Sequence, residues 1–254
     1  MNENTLQKQV DIYNSSEGSA KGFYCPKCHN KGWIDKVVKD QDGFPVRVTS
    51  QCSCASLRES RRITSDQLGE YNGKTMNDFI AREDWQISMK NKALGYLQDP
   101  DHSKWFFVCG QCGSGKTMLC SIIANTLTET RHCGLIKVTW TDFIGKVKRD
   151  VASGDYVANA SRSLEEAKRC DLLFIDEALK KFTDADLKYF SEIVDYRYRN
   201  KLPLILNSEL DFEDLISIDE SVFSRVVERA DVYIVRIAKD RKKNMRLRKL
   251  SRQE

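Results

Sequence analysis

No stretch of the 254 residues is apolar for long enough to cross a bilayer, and the opening Met-Asn-Glu-Asn-Thr-Leu-Gln-Lys has none of the apolar core of an export signal. These absences argue against a membrane-spanning chain and lead to the expectation of a soluble, cytoplasmic protein with no membrane partner. They also bear on the nine cysteines, which outside an oxidising compartment do not form a disulfide framework. An excess of charge of one sign is missing as well. At a net +4 the chain as a whole does not argue for a polyanionic partner, although its last sixteen residues carry eight Lys or Arg against one Asp and one Glu. That tail either contacts phosphate or is simply solvated. What is present, 41% hydrophobic residues over this length, suffices for one α/β core and a small accessory module.

The densest chemistry lies at Lys104-Trp-Phe-Phe-Val-Cys-Gly110-Gln111-Cys112-Gly113-Ser114-Gly115-Lys116-Thr117. The apolar run from Trp105 to Cys109 reads as a buried strand, and Leu119, Ile123 and Leu127 recur at the spacing of a helix face. Strand, Gly-x-x-x-x-Gly-Lys-Thr and helix in that order predict a phosphate-binding P-loop. The glycines let the backbone N–H groups of residues 110–117 turn inward on a polyphosphate, and the helix start adds partial positive charge. Lys116 is expected to reach the β- and γ-phosphates, and the Thr117 hydroxyl to ligate Mg²⁺.

Ahead of the P-loop, Trp85, Met89, Ala93 and Leu97 mark an amphipathic helix; beyond it, residues 135–140 read as a strand. Thr141 then opens a helix whose Lys146, Lys148 and Arg149 either decorate its end or meet nucleic acid. In Cys170-Asp171-Leu-Leu-Phe-Ile-Asp176-Glu177, four apolar residues make a buried parallel strand with carboxylates where it emerges, the Walker B arrangement. Asp176 is expected to hold Mg²⁺ through water opposite Thr117, and Glu177 to polarise a water for attack on the γ-phosphate. A helix over 184–200 and a strand over 202–209 follow. That strand ends in Asn207, Ser208 and Glu209, and in a doubly wound sheet its polar end gathers with Walker B, where Asn207 or Ser208 can sense the γ-phosphate. A helix over 219–229 carrying Arg225 and a last strand over 231–237 complete an α/β P-loop NTPase, a parallel sheet flanked by helices, expected over 71–238.

The remaining cysteines fall into two groups. Cys109, Cys112, Cys120, Cys133 and Cys170 lie scattered in the P-loop domain and read as small packing residues. Cys25-Pro-Lys-Cys28 and Cys52-Ser-Cys54 instead present two close pairs about two dozen residues apart, the four soft ligands of a tetrahedral structural Zn²⁺ site. His29 could replace one thiol, at the cost of straining the turn. Between the pairs, residues 33–38 and 44–49 flank Asp40-Gln-Asp-Gly43 as a β-hairpin that carries the second pair back to the first. Such a small module, expected over 23–70, owes its fold to the metal. The polar segment 1–22 either forms a helix or stays disordered. Arg58, Arg61 and Arg62 follow the second cysteine pair on a basic helix or a solvated linker.

In their order, these segments resemble the AAA+ helicase loaders of the DnaC/DnaI type, in the form found on phages and mobile elements. The matching residues are both cysteine pairs, Trp105 to Thr117, Leu173-Phe-Ile-Asp176-Glu177, Tyr196-Arg-Tyr-Arg-Asn-Lys-Leu-Pro203, Asn207-Ser-Glu-Leu210, Ser224-Arg225-Val-Val-Glu-Arg229 and Asp240-Arg-Lys-Lys-Asn-Met-Arg-Leu-Arg248. The resemblance implies an AAA+ domain that binds and hydrolyses ATP. It implies that Arg225 is the arginine finger reaching a neighbour's nucleotide, hence a homo-oligomer in the ATP state. It makes Arg246 or Arg248, in a basic tail over 239–254, the sensor 2 arginine acting in cis. It also implies that the zinc module docks onto a replicative DnaB-type hexameric helicase, while the ATPase domain engages single-stranded DNA and places that ring. Relatives often carry Asp-Asp where this chain has Asp176-Glu177, and Thr-Ser-Asn where it has Asn207-Ser-Glu, so the phosphate sensor among Asn207, Ser208 and Glu209 stays open. A full helical lid is not expected after the last strand. Two other functions fit less well: a transposition-assisting AAA+ ATPase on DNA, against which the zinc module argues, and a nucleotide-gated DNA or helicase adaptor with little hydrolysis.

Overall fold

The computed structural model describes residues 3–19, 25–52, 54, 67–131, 133–157 and 160–247, and the chain divides into two compact units, Met1–Arg62 and Ile63–Glu254. The division precedes the boundary near residue 70 expected from the sequence. The physical reason is that Leu68 is buried in the core of the second unit and the Gln67 side chain accepts the Lys137 N–H at 2.7 Å. Arg58, Arg61 and Arg62 lie outside the described residues.

In the first unit the polar N-terminal segment is helical. Helix α1 (Glu3–Ser15) buries Leu6 and Val10, and its far end docks on a hairpin of β1 (Trp33–Lys39) and β2 (Pro45–Gln51), paired antiparallel from Trp33↔Gln51 to Lys39↔Pro45. Asn14 acts as a surrogate strand: its Nδ2 donates to the Asp35 carbonyl at 2.9 Å, and its Oδ1 accepts the Asp35 N–H at 3.0 Å. The buried Asp35 carboxylate pairs with Arg47 and accepts the Thr49 hydroxyl at 2.7 Å. The hairpin turn is set by Asp40, whose Oδ1 accepts the N–H groups of Asp42 and Phe44.

The second unit is a three-layer α/β domain. Its five-stranded parallel sheet runs, in spatial order, β4 (Leu135–Thr139), β7 (Leu172–Asp176), β8 (Leu204–Ser208), β3 (Phe106–Gly110) and β9 (Ile234–Ile237). Strands covered on both faces read as continuous apolar runs, and here alternate residues serve opposite layers. Phe106, Val108, Phe174 and Ile205 pack against α2 (Asp84–Gln98) and α3 (Lys116–Arg131); Phe107, Cys109, Leu173, Ile175 and Leu206 join the core on the other face. That second layer contains α4 (Trp140–Ser153), α5 (Arg162–Arg169), α6 (Asp184–Arg199), α7 (Phe212–Ile218) and α8 (Glu220–Ala230), with two short paired segments, β5 (Tyr156–Val157) and β6 (Ala160–Ser161), ahead of α5. Helix α4 begins at Trp140 with Thr139 as N-cap, one residue before the expected start.

Helices α5 and α7 go beyond the sequence expectation. The side of α5 that is buried holds Glu165 and Lys168 beside Leu164 and Ala167, so no apolar stripe announces it. Lys168 is neutralised by Glu165 and by Glu192 at 2.7 Å. Behind this network Arg197 is fully buried, with its guanidinium donating to the carbonyls of Ala167, Lys168, Cys170, Asp171 and Pro203 at 2.6–3.4 Å. Arg197 therefore ties the end of α5 to the entries of β7 and β8. Among the described residues, no helix is long and apolar enough to cross a membrane.

Candidate functional site

Strand β3 ends at Gly110, where φ is +104° and a Cβ would overlap the Ile237 carbonyl oxygen on the neighbouring strand. Only glycine fits that approach. The loop then turns into α3, which begins at Lys116. The Lys116 ammonium is buried, donating to the Gly110 and Gln111 carbonyls at 2.8 and 2.7 Å, and burial pulls its pKa below the usual lysine value. It is thus held at the loop by two main-chain carbonyls.

Three of the predicted residues meet around one carboxylate. Asp176 Oδ1 accepts the Thr117 hydroxyl at 3.0 Å and the Asn207 Nδ2 at 2.6 Å, while Lys137 lies 3.7 Å from Oδ2. The Asn207 Oδ1 in turn accepts the Glu177 N–H at 2.9 Å, and its backbone carbonyl accepts the Ala178 N–H at 2.8 Å. This pins Glu177 at φ +54°, a left-handed conformation unusual for a residue with a side chain. Glu177 Oε1 pairs with Lys180 at 3.2 Å, and Lys180 also pairs with Glu209 at 3.0 Å. Of the three candidate phosphate sensors, Ser208 is fully buried and donates to the Ala178 carbonyl, Asn207 is engaged with Asp176 and Glu177, and Glu209 faces the cavity.

Above the loop lies a cavity of about 590 Å³ lined by Gly113, Ser114, Gly115, Lys116, Thr117, Glu177, Asn207 and Glu209. Phe79, Ile80, Met118 and Met245 add apolar surface to the lining, with Asp78 and Gln86 among the polar groups, in a volume large enough for a nucleotide. No motif marks Phe79, Ile80 or Gln86 in the sequence, because they precede α2 or lie on it, well before the P-loop.

Residues 106–194 match the family described as ATPase family associated with various cellular activities (AAA). The chain is 30% identical over 240 residues to the phage-like element PBSX protein XkdC of Bacillus subtilis (strain 168), covering 87% of this chain and 84% of that protein. The chain belongs to the AAA+ ATPases, in the family of XkdC. Its fold is shared with the DnaC helicase loader, at a TM-score of 0.56 and 19% identity over 66% of this chain and 99% of that one. DnaI is likewise similar, with a TM-score of 0.53 and 22% identity over 66% of this chain and 92% of that one.

In this AAA+ ATPase the predicted arginines fall in different places. Arg246 lines the cavity. Arg248 lies outside the described residues. Arg225 is on the surface of α8, donating to the Ser221 carbonyl at 2.6 Å and lying 3.3 Å from Asp195, and it does not line the cavity of its own chain. Lys148 pairs with Asp186 at 2.7 Å, whereas Lys146 and Arg149 line a separate cleft of about 450 Å³ with Lys137, Asp142 and Glu166. Cys112 is exposed on the P-loop rather than packed, because the loop turns its side chain away from the core; Cys109 and Cys120 are buried as expected, and Cys133 and Cys170 are half-buried.

In the first unit of the AAA+ ATPase, the thiols of Cys25, Cys28, Cys52 and Cys54 are all buried and lie within 4.8 Å of one another. Sγ separations of 3.9 Å (Cys25–Cys52) and 3.3 Å (Cys28–Cys54) bracket the roughly 3.8 Å edge of a tetrahedron with Zn–S bonds of about 2.3 Å. Burial opposes the Cys28 thiolate, but the Gly32 N–H at 3.2 Å and the neighbouring thiols outweigh it and bring the group down to about 7. The donor set is compatible with zinc. His29, at φ +46° in the turn, is not among the converging ligands.

Proposed function

We propose that this protein is an ATP-hydrolysing helicase loader that uses turnover to place a replicative, DnaB-type hexameric helicase on single-stranded DNA. The observation that carries the reading is the hold of one side chain, Asn207, on both Asp176 and the Glu177 N–H. It sets a metal-binding carboxylate and a potential base side by side at the phosphate end of the cavity. Lys116 and the loop N–H groups receive the β- and γ-phosphates. Thr117 and Asp176 would hold Mg²⁺, which when bound neutralises charge on those phosphates. Glu177 takes a proton from the water whose oxygen attacks the γ-phosphorus, and the bond to ADP breaks with its electrons staying on the leaving oxygen. Arg225, directed to the surface, serves the cavity of a neighbouring copy in an ATP-state homo-oligomer, and Arg246 serves its own.

The loader limb is supported by the fold shared with the DnaC helicase loader, joined in one chain to a four-thiol module. Cys25, Cys28, Cys52 and Cys54 would hold a structural Zn²⁺, and the module they fold would dock on the helicase. The cleft with Lys137, Lys146 and Arg149 offers cations to a DNA backbone. A second reading, an adaptor with little hydrolysis, is favoured by the ion pair between Lys180 and Glu177. The deciding experiment mixes the chain with the replicative helicase of its host, ATP and circular single-stranded DNA. Association with the helicase and ATP-dependent unwinding are expected. Absence of both association with the helicase and any effect on unwinding would remove the loader reading, and association with a transposase instead would favour the transposition alternative.

A further inference from the structure

The turn that follows β9 is built onto the P-loop. The Asp240 N–H donates to Gln111 Oε1 at 2.8 Å, Asn244 Nδ2 lies 3.7 Å from Cys112 Sγ, and the Met245 N–H donates to the Gly113 carbonyl at 2.9 Å. Three consecutive loop residues are thus gripped by one short segment. Asn244 is its centre. Its Oδ1 accepts the Arg246 N–H at 3.1 Å and fills the space that a Cβ on Gly113 would occupy, while its own carbonyl accepts the Leu247 N–H at 3.2 Å. Gly113, at φ +68°, therefore serves two purposes, bending the loop and admitting Asn244. Immediately beyond, Met245 and Arg246 line the cavity.

We propose that Asn244 is a positioning residue for the nucleotide: it locks the turn to Gly113 and so presents Arg246 to the cavity already ordered. This inference rests on the nucleotide-binding reading above. An asparagine oxygen that accepts an N–H two residues on holds a tight turn that alanine cannot hold. Without it, the long Arg246 side chain and the turn beneath it must be ordered by the ligand itself, and that entropy is charged to binding.

If Asn244 acts through Arg246, the two effects are not independent, and a double-mutant cycle exposes this. Affinity for a fluorescent ATP analogue is measured on the full chain for Asn244→Ala, Arg246→Ala, the double variant, Asn244→Ser and Lys116→Ala, with melting temperatures alongside. Asn244→Ala is expected to weaken binding about tenfold without lowering the melting temperature appreciably. The double variant should bind no worse than Arg246→Ala alone, and serine, which restores an acceptor, should recover most of the loss. Losses that multiply in the double variant, or wild-type affinity in Asn244→Ala, overturn the proposal. Unchanged binding by Lys116→Ala means that the nucleotide reading has failed, and this inference with it. With Lys116→Ala inactive in binding, the cycle reports on Asn244 alone.

Discussion

Glu177 occupies a left-handed backbone conformation because Asn207 fixes the residues on either side of its peptide: the side-chain oxygen takes the Glu177 N–H and the main-chain oxygen takes the Ala178 N–H. The strain, of order 1–3 kcal/mol, is sustained by those bonds and keeps the carboxylate at the cavity. Glu177→Gln preserves shape and removes the proton acceptor. It is expected to retain ATP binding while phosphate release falls about 10²–10⁴-fold; unaltered turnover places the base elsewhere or supports the adaptor reading. Lys116, Thr117, Asp176 and Glu177 were legible in the sequence because the chemistry requires them at motif spacing. Asn207 was legible only as a polar strand end. Its two-way grip on Asp176 and Glu177 depends on the β7–β8 register, which no local pattern carries. Lys180 and the apolar wall of Phe79 and Ile80 had no signal at all.

At the level of elements, β3, β7 and β8 were readable because each is buried on both faces, β4 and β9 because short apolar runs survive around Lys137 and Arg236, and the P-loop helix because its stripe recurs every four residues. Helices α2, α4, α6 and α8 were also readable, whereas polar contacts concealed α5 and the docking of the N-terminal helix. Helix α5 hides Glu165 and Lys168 in place of leucines, and the N-terminal helix reaches its hairpin through Asn14 and through the Tyr13 ring, which lies 5.2 Å from Lys31 and 5.3 Å from Arg47. The hairpin and its four thiols were visible from spacing alone. Among the described residues that module has little apolar core beyond the thiols, with Ile34 packed against them, so its order should depend on metal. Metal analysis is expected to find about one zinc per chain. Changing Cys25 and Cys28 together to serine should release it and unfold the hairpin, seen as lost amide dispersion for residues 25–54, while ATP binding persists. Retained order in the metal-free double variant would show that the hairpin stands without zinc.

For the molecule as a whole, Arg225 lies outside the cavity of its own chain, so the proposed finger role would make turnover a property of the assembly. Arg225→Ala is expected to leave ATP affinity of the isolated chain unchanged and to depress turnover of the assembled form about 10³-fold or more. Equal turnover in wild type and variant, measured across protein concentrations that promote assembly, would assign the finger to another residue. Arg197 is expected to bear on the order in which segments dock. Its five carbonyl acceptors come from α5, the approach to β7 and Pro203, so the guanidinium is satisfied only after those segments have come together. Contacts completed late weigh on the unfolding rate more than on the folding rate. Arg197→Met, which leaves buried carbonyls without a donor, should speed unfolding about a hundredfold and leave the refolding arm of the chevron nearly unmoved. A slowed refolding arm would instead put this arginine in the nucleus. In the expected case the buried arginine acts as a late latch, one that governs how long the ATPase unit stays folded rather than how quickly it forms.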